Sequence, residues 1–168
     1  AGATENLGEH HRIETHLIPN VLRVALGQAD HCTVFGTDYP TPDGTCIRDY
    51  IHVEDLANAH LKALDYLRDG GASQILNCGY GHGYSVRQVL DTVQRVHGAP
   101  LNIIEQGRRA GDPPALIAGA QKIREVLGWT PRFDDLEEIA RSVGLSSRCL
   151  RCSIMTQNSS QTSCMDSK

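Results

Sequence analysis

What most constrains this chain is a change of apolar period that repeats along it: stretches spaced at three to four residues alternate with short extended runs up to about Arg141. That alternation predicts an α/β or α+β domain rather than a helical bundle. Leu17 to Leu26 reads as a helix, with Pro19 in its first turn and Gly27 just past its end. Thr33-Val34-Phe35 follows as a strand. Thr37, Asp38, Pro40, Pro42 and Asp43 then mark a structured loop. Ile47 to Val53 returns to extended structure. Val53, Ala57, Leu61, Leu64 and Leu67 predict the apolar face of a second helix, ended by Gly70 and Gly71.

Gln74 to Cys78 is expected to be a strand. Ser85 with Gln88 three residues later is a capping-box signature, and Val86, Val89, Leu90, Val93 and Val96 form the face of the helix it opens, which Gly98 and Pro100 stop. Leu101 to Ile104 is the next strand, and Gln106 to Pro114 a basic loop. Gln121 to Leu127 reads as a short helix closed by Gly128, with Asp134 and Glu137 capping a last one. Beyond Arg141 serine, threonine, asparagine and glutamine dominate. Residues 1–141 are therefore expected to form one domain and residues 142–168 a divergent, disordered tail.

The length of 168 residues suits one domain with a real core. The formal net charge is −4 and the basic residues are scattered, which argues against nucleic acid as a partner. No apolar run approaches the ~18 residues of a membrane span, so no membrane partner is expected. Ala1 to Arg12 is polar, with neither a methionine start nor an apolar leader, and reads as the start of a truncated cytoplasmic chain. Cys32, Cys46 and Cys78 are expected to be buried free thiols. Cys149 and Cys152 form a C-x-x-C with only Cys164 beyond it, and one knuckle without a second falls short of a zinc site. No metal is expected.

Gly79, Gly81 and Gly83 have the wrong spacing for a G-x-G-x-x-G fingerprint and read as a strand-to-helix turn. None of Tyr39, Tyr50, Tyr66, Tyr80 or Tyr84 has the lysine four residues on that lowers a phenol pKa in short-chain dehydrogenase chemistry. His10, His11, His60 and His97 suit surface or core roles. No catalytic residue is therefore assigned. Arginines do stand out in loops beside extended segments: Arg48 in Cys46-Ile47-Arg48-Asp49-Tyr50, and Arg108-Arg109 before Gly111-Asp112. Two guanidinium forks converging from separate loops suit a diphosphate. The residues alone carry the reading as far as an anion site.

Thr33 to His60, TVFGTDYPTPDGTCIRDYIHVEDLANAH, resembles the UDP-glucose 4-epimerases of the extended short-chain dehydrogenase family. The likeness starts at Ala1-Gly2-Ala3 and continues through Gly79 to Val86, Arg108 to Lys122 and Trp129-Thr130-Pro131. That family joins a nicotinamide-binding Rossmann domain to a smaller carboxy-terminal domain holding the UDP-sugar. The resemblance implies that this chain carries the second part, with the main Rossmann domain largely absent. It implies nucleotide contacts at His16, where other members have asparagine, and at Leu17. It further implies a uracil-lining strand at Thr33, Val34 and Phe35.

The same resemblance gives the diphosphate grip to Arg48 with Tyr50 nearby, and the R-x-G-D arginine and aspartate to Arg109 and Asp112. Leu116 falls where the family sets pocket size. Gly119 replaces a helix-capping aspartate, a loss expected to cost about 1 kcal/mol or less. As an isomerase the family uses tightly held NAD, is often homodimeric, and interconverts UDP-glucose and UDP-galactose. The chain itself, without the tyrosine-lysine pair or the NAD fingerprint, is expected to be inactive alone. A related UDP-sugar decarboxylase or dehydratase, and a nonenzymatic UDP-sugar-binding piece, are the alternatives; the T-D-Y-P-T-x-D-G-T loop favours the epimerase.

Overall fold

The amphipathic period that begins at Leu17 becomes helix α1, Leu17–Ala25, which buries Ile18, Val21 and Leu22. These coordinates, a computed structural model, describe residues 14–98 and 100–142. His10, His11, the lone C-x-x-C and residues 143–168 of the expected tail lie outside the described residues, while Ser142, expected to open that tail, is helical. The chain continues through strand β1, Cys32–Phe35, strand β2, Ile47–Arg48, and helix α2, Val53–Arg68. Then come strand β3, Tyr84–Ser85, helix α3, Val86–His97, strands β4, Ile103–Gln106, and β5, Ala115–Leu116, and helix α4, Gln121–Leu127. Residues 136–142 are again helical.

Local chemistry accounts for the helix boundaries. Ser85 Oγ accepts from the Gln88 amide at 3.1 Å, while Gln88 Oε1 accepts from the Ser85 amide at 2.8 Å, so the capping box is complete. Gly98 and Gly128 close α3 and α4 where expected. The last helix is capped differently from the expectation. Asp135 Oδ1, one residue on from Asp134, accepts the Glu138 amide at 2.8 Å, because the helical residues start at 136. Asp134 instead meets His82 Nε2 at 2.7 Å.

Two ladders organise the sheet structure. β1 pairs with β4 in parallel, Phe35 opposite Gln106. β2 lies between β3, antiparallel, and β5, parallel, with Arg48 opposite Leu116. The loop from residue 107 to 114 is thereby held at one end beside β1 and at the other beside β2. The core behind it joins α1 and α3 to Val34, Ile123, Leu127, Trp129, Leu136 and Ile139. Burying such side chains contributes about 1.5–3 kcal/mol each.

A buried carboxylate fastens α2 to this core. Asp55, 1% exposed, accepts Tyr80 Oη at 2.8 Å and the Arg132 and Phe133 amides at 2.9 Å each. Its carbonyl accepts Trp129 Nε1 at 3.2 Å. His52, also buried, caps α2: its Nδ1 accepts the Glu54 amide at 3.2 Å. That bond sets the tautomer, so Nε2 carries the proton toward Ser142 Oγ at 3.0 Å.

Two expectations fail for one reason. Residues 74–78 form no strand and belong to neither ladder, and Ile75 is 90% exposed. The expected core face of α2 is exposed at Val53, Leu61, Leu64 and Leu67, while Asp55 and Ala59 turn inward instead. A strand needs a partner backbone, and an apolar stripe needs a facing surface. Among the described residues neither exists.

Candidate functional site

The two ladders converge their loops on one cleft of about 340 Å³, lined among others by Leu17, Thr33, Phe35, Arg48, Tyr50 and Arg109. α1 supplies Leu17 from its first turn. β1 supplies Thr33 and Phe35, which share a face because side chains alternate along a strand. The same alternation turns Val34 into the core at 2% exposure, so only its main chain is left for a ligand. Cys46, Arg48 and Tyr50 stand two residues apart and all reach the cleft.

The basic loop between β4 and β5 completes it. The Arg109 guanidinium lies over the Phe35 ring, 3.7 Å from its centroid. Asp112 receives Arg48 Nη2 on one carboxylate oxygen and Cys46 Sγ at 3.7 Å on the other. Arg48 Nη1 also donates to the Ile47 carbonyl at 2.7 Å, which fixes the fork. Burial pushes the Tyr50 phenol up to about 12, so it stays protonated and can only donate or accept hydrogen bonds. Burial likewise raises the Cys32 thiol above its ordinary range, which keeps it a neutral wall residue.

Of the residues singled out from the sequence, Leu17, Thr33, Phe35, Arg48, Tyr50, Arg109 and Asp112 come together here. His16 does not line this cleft; its Nδ1 meets Glu14 Oε1 at 2.7 Å. Leu116 is 62% exposed and lines a neighbouring hollow with Asn77 and Cys78, which Arg48 also borders. Sequence reasoning missed Asn20, His31, Cys46 and Val86 in the cleft wall. For Cys46 the signal was present, since it stands two residues before Arg48 on an extended run. The expected free thiols are observed at Cys32 and Cys46, both buried, and at Cys78, which is half-buried.

The glycine turn before β3 offers no cradle for a dinucleotide. The Asp49 carboxylate already accepts the amides of Tyr80 at 3.2 Å, Gly81 at 3.3 Å and Ala118 at 3.3 Å. A pyrophosphate there would face a carboxylate in place of free amides. The described residues therefore do not fit NAD at this turn. Among them no cluster of three or more His, Cys, Asp or Glu is placed to hold a metal ion, and no helix is long and apolar enough to cross a membrane.

Fold and cleft together define a portion of an α/β protein of the extended short-chain dehydrogenase type, with two arginines and a carboxylate lining the cleft. Residues 3–79 match the family described as the NAD dependent epimerase/dehydratase family, and likeness to UDP-glucose 4-epimerases runs over most of the chain. Among curated relatives it is 51% identical over 147 residues to the UDP-glucose 4-epimerase of Azospirillum brasilense, covering 88% of this chain and 42% of that protein. With the UDP-glucose 4-epimerase of Streptococcus mutans the identity is 50% over 137 residues, 82% of this chain and 41% of the relative.

Solved structures agree. The UDP-glucose-4-epimerase of Stenotrophomonas maltophila, with bound NAD and formylated UDP-arabinopyranose, superposes with a TM-score of 0.86 at 38% identity, over 91% of this chain and 46% of that one. The Bifidobacterium longum enzyme in complex with NAD+ and UDP gives 0.72 at 36% identity, over 79% and 39%. The chain thus spans about two-fifths of the length of the relatives it matches.

Proposed function

We propose that residues 1–141 are the UDP-sugar-binding portion of a UDP-glucose 4-epimerase, an isomerase of UDP-glucose and UDP-galactose, and that the chain alone is inactive. The single observation that carries this is the convergence of Arg48, Arg109 and Asp112, with Phe35 and Tyr50, on one cleft. In this reading the guanidinium forks take the diphosphate oxygens, because planar forks bind phosphate through two parallel hydrogen bonds. Asp112 accepts from ribose hydroxyls. Phe35 and Thr33 line the base, and Leu116 borders the sugar end through the hollow that Arg48 shares.

The chemistry NAD supplies in this family is removal and return of the hydride at the sugar's C4. The glycine turn before β3 gives it no cradle, so no step is assigned to the described residues. Their share is to bind and orient. Supporting this, the Bifidobacterium relative is solved with UDP and the Stenotrophomonas relative with a UDP-sugar.

Calorimetric titration of the purified chain with UDP tests the reading. Saturable binding is expected, weakened in Arg48→Ala by about 1.5–3 kcal/mol, the contribution of a charge-assisted hydrogen bond. Absence of binding, or binding unchanged in Arg48→Ala, refutes it. Conversion of UDP-galactose by the chain alone with NAD would refute the inactivity.

A further inference from the structure

The two adjacent arginines of the basic loop have divided tasks. Arg109 reaches the cleft; Arg108 does not line it. Arg108 instead turns back onto the loop between β1 and β2. Its Nε donates to Asp38 Oδ1 at 2.7 Å, its Nη2 donates to the Asp38 carbonyl, and its guanidinium lies 4.3 Å from the Tyr39 ring centroid. Tyr39 is itself 5% exposed, so this ring is a fixed platform. The approach is close: a Cβ on Gly36, at φ +82, would lie 2.7 Å from Arg108 Cγ and 2.4 Å from Tyr39 Cε2. Only glycine leaves that room.

Magnitude decides what such an arrangement can do. Asp38 and Arg108 are 74% and 43% exposed, and an exposed ion pair adds little to global stability. Its effect must therefore be local. The loop is anchored at Gln106 by β4 and, from Pro114 on, by β2, whose Ile47 amide donates to the Pro114 carbonyl at 2.8 Å, so the hold is needed over residues 107–113. A three-point hold on Arg108 fixes the backbone one residue before Arg109, and so fixes where the Arg109 guanidinium emerges over Phe35. The bond to Arg108 also lowers the Asp38 carboxyl, which keeps the hold intact through the neutral range.

We infer that Arg108, clipped to Asp38 and Tyr39, is a positioning residue that sets Arg109 in the cleft for a nucleoside diphosphate. This rests on the reading of the cleft as a diphosphate site, and the experiment has one arm independent of it. In the first arm, UDP is titrated into the whole chain and into Arg108→Ala, Arg108→Lys, Asp38→Asn, Arg109→Ala and Arg108→Ala/Arg109→Ala. Arg108→Ala and Asp38→Asn should each weaken binding about tenfold, with the melting temperature unchanged.

Arg108→Lys keeps the charge without the fork and should not restore binding. The double variant should bind no more weakly than Arg109→Ala, since a positioning residue has nothing left to position. Additive losses, or full rescue by lysine, would overturn the proposal in favour of a direct charge contact. In the second arm, amide hydrogen exchange is followed over residues 107–112 without ligand. Faster exchange in Asp38→Asn and Arg108→Ala supports the clip, and unchanged exchange overturns it. If the unmodified chain binds no UDP, the reading of the cleft fails and the clip is judged on exchange alone.

Discussion

Replacing Asp55 by asparagine keeps its shape and removes one thing, the ability to accept on both oxygens. Oδ1 serves the Arg132 amide and Oδ2 serves the Phe133 amide and the Tyr80 hydroxyl. The amide NH2 must face one side or the other. The less damaging rotamer turns it to the Arg132 amide, so that two donors face each other without an acceptor, at a cost of about 1–3 kcal/mol for the lost partner. The two remaining bonds lose their ionic character, roughly another 1 kcal/mol each. The Tyr80 hydroxyl recovers part of this through the Phe133 carbonyl at 3.1 Å. The net expectation is about 3 kcal/mol, which in a chain of this size lowers Tm by roughly 6–12 °C.

Circular dichroism gives the melt. The single tryptophan, Trp129, whose ring nitrogen bonds the Asp55 carbonyl, gives an independent optical probe of the same junction. Asp134→Asn, which disturbs only the exposed pair with His82, serves as the control and should change stability by under about 0.5 kcal/mol. A shift below about 2 °C in Asp55→Asn, with Trp129 emission unmoved, would show that the carboxylate does not hold α2 to the core.

Further outcomes follow from other sites. Burial holds the His52 imidazole below its ordinary pKa against the opposing pull of Glu54, Asp55 and Glu138. The unfolded chain takes up this proton near pH 6.5 and the folded chain only below it. Stability should therefore fall as pH drops below about 6.5, and His52→Asn, which can still cap α2, should flatten that slope in melts from pH 7 to 5. Gly44→Ala should cost about 2–4 kcal/mol in denaturant titrations, since φ is +79 and the new Cβ would lie 2.1 Å from the Thr37 carbonyl oxygen. The N-cap of α4 is Ala120, one residue past the position expected from the sequence, and it makes no side-chain cap. Gly119→Asp therefore gains no capping bond and should change stability by under about 0.5 kcal/mol, read as an unmoved Tm.

What could be read from the sequence was what neighbours along the chain decide. The Ser85–Gln88 box, the glycine after α3 and the span of α4 depend on residues within one turn, and each is observed as expected. The faces of α2 were misjudged because the sequence offers two apolar stripes, and only the positions of Trp129 and Tyr80 select the one around Asp55 and Ala59. Residues 74–78 have strand composition, yet pairing is a property of two segments. In the cleft, arginine chemistry reached an anion site; its narrowing to Arg48, Arg109 and Asp112 came from the family resemblance. Val34 turns its side chain into the core while Thr33 and Phe35 face the cleft, because alternate residues of a strand face opposite ways, and the same alternation would have added Cys46.

The pairing of Arg48 with Asp112 has a consequence for how any anion would arrive. The cleft already carries its own counter-ion, covalently tethered, so occupancy is an exchange of partners rather than the filling of a bare positive hole. A diphosphate must compete with a carboxylate whose local concentration is fixed and cannot be diluted. Simple anions such as chloride or inorganic phosphate, lacking groups that could engage the displaced carboxylate, gain little from that competition. A ligand with hydroxyls beside its phosphates offers Asp112 new donors as it takes the arginine away. Selectivity for phosphate joined to ribose would then arise from what the ligand returns to the site.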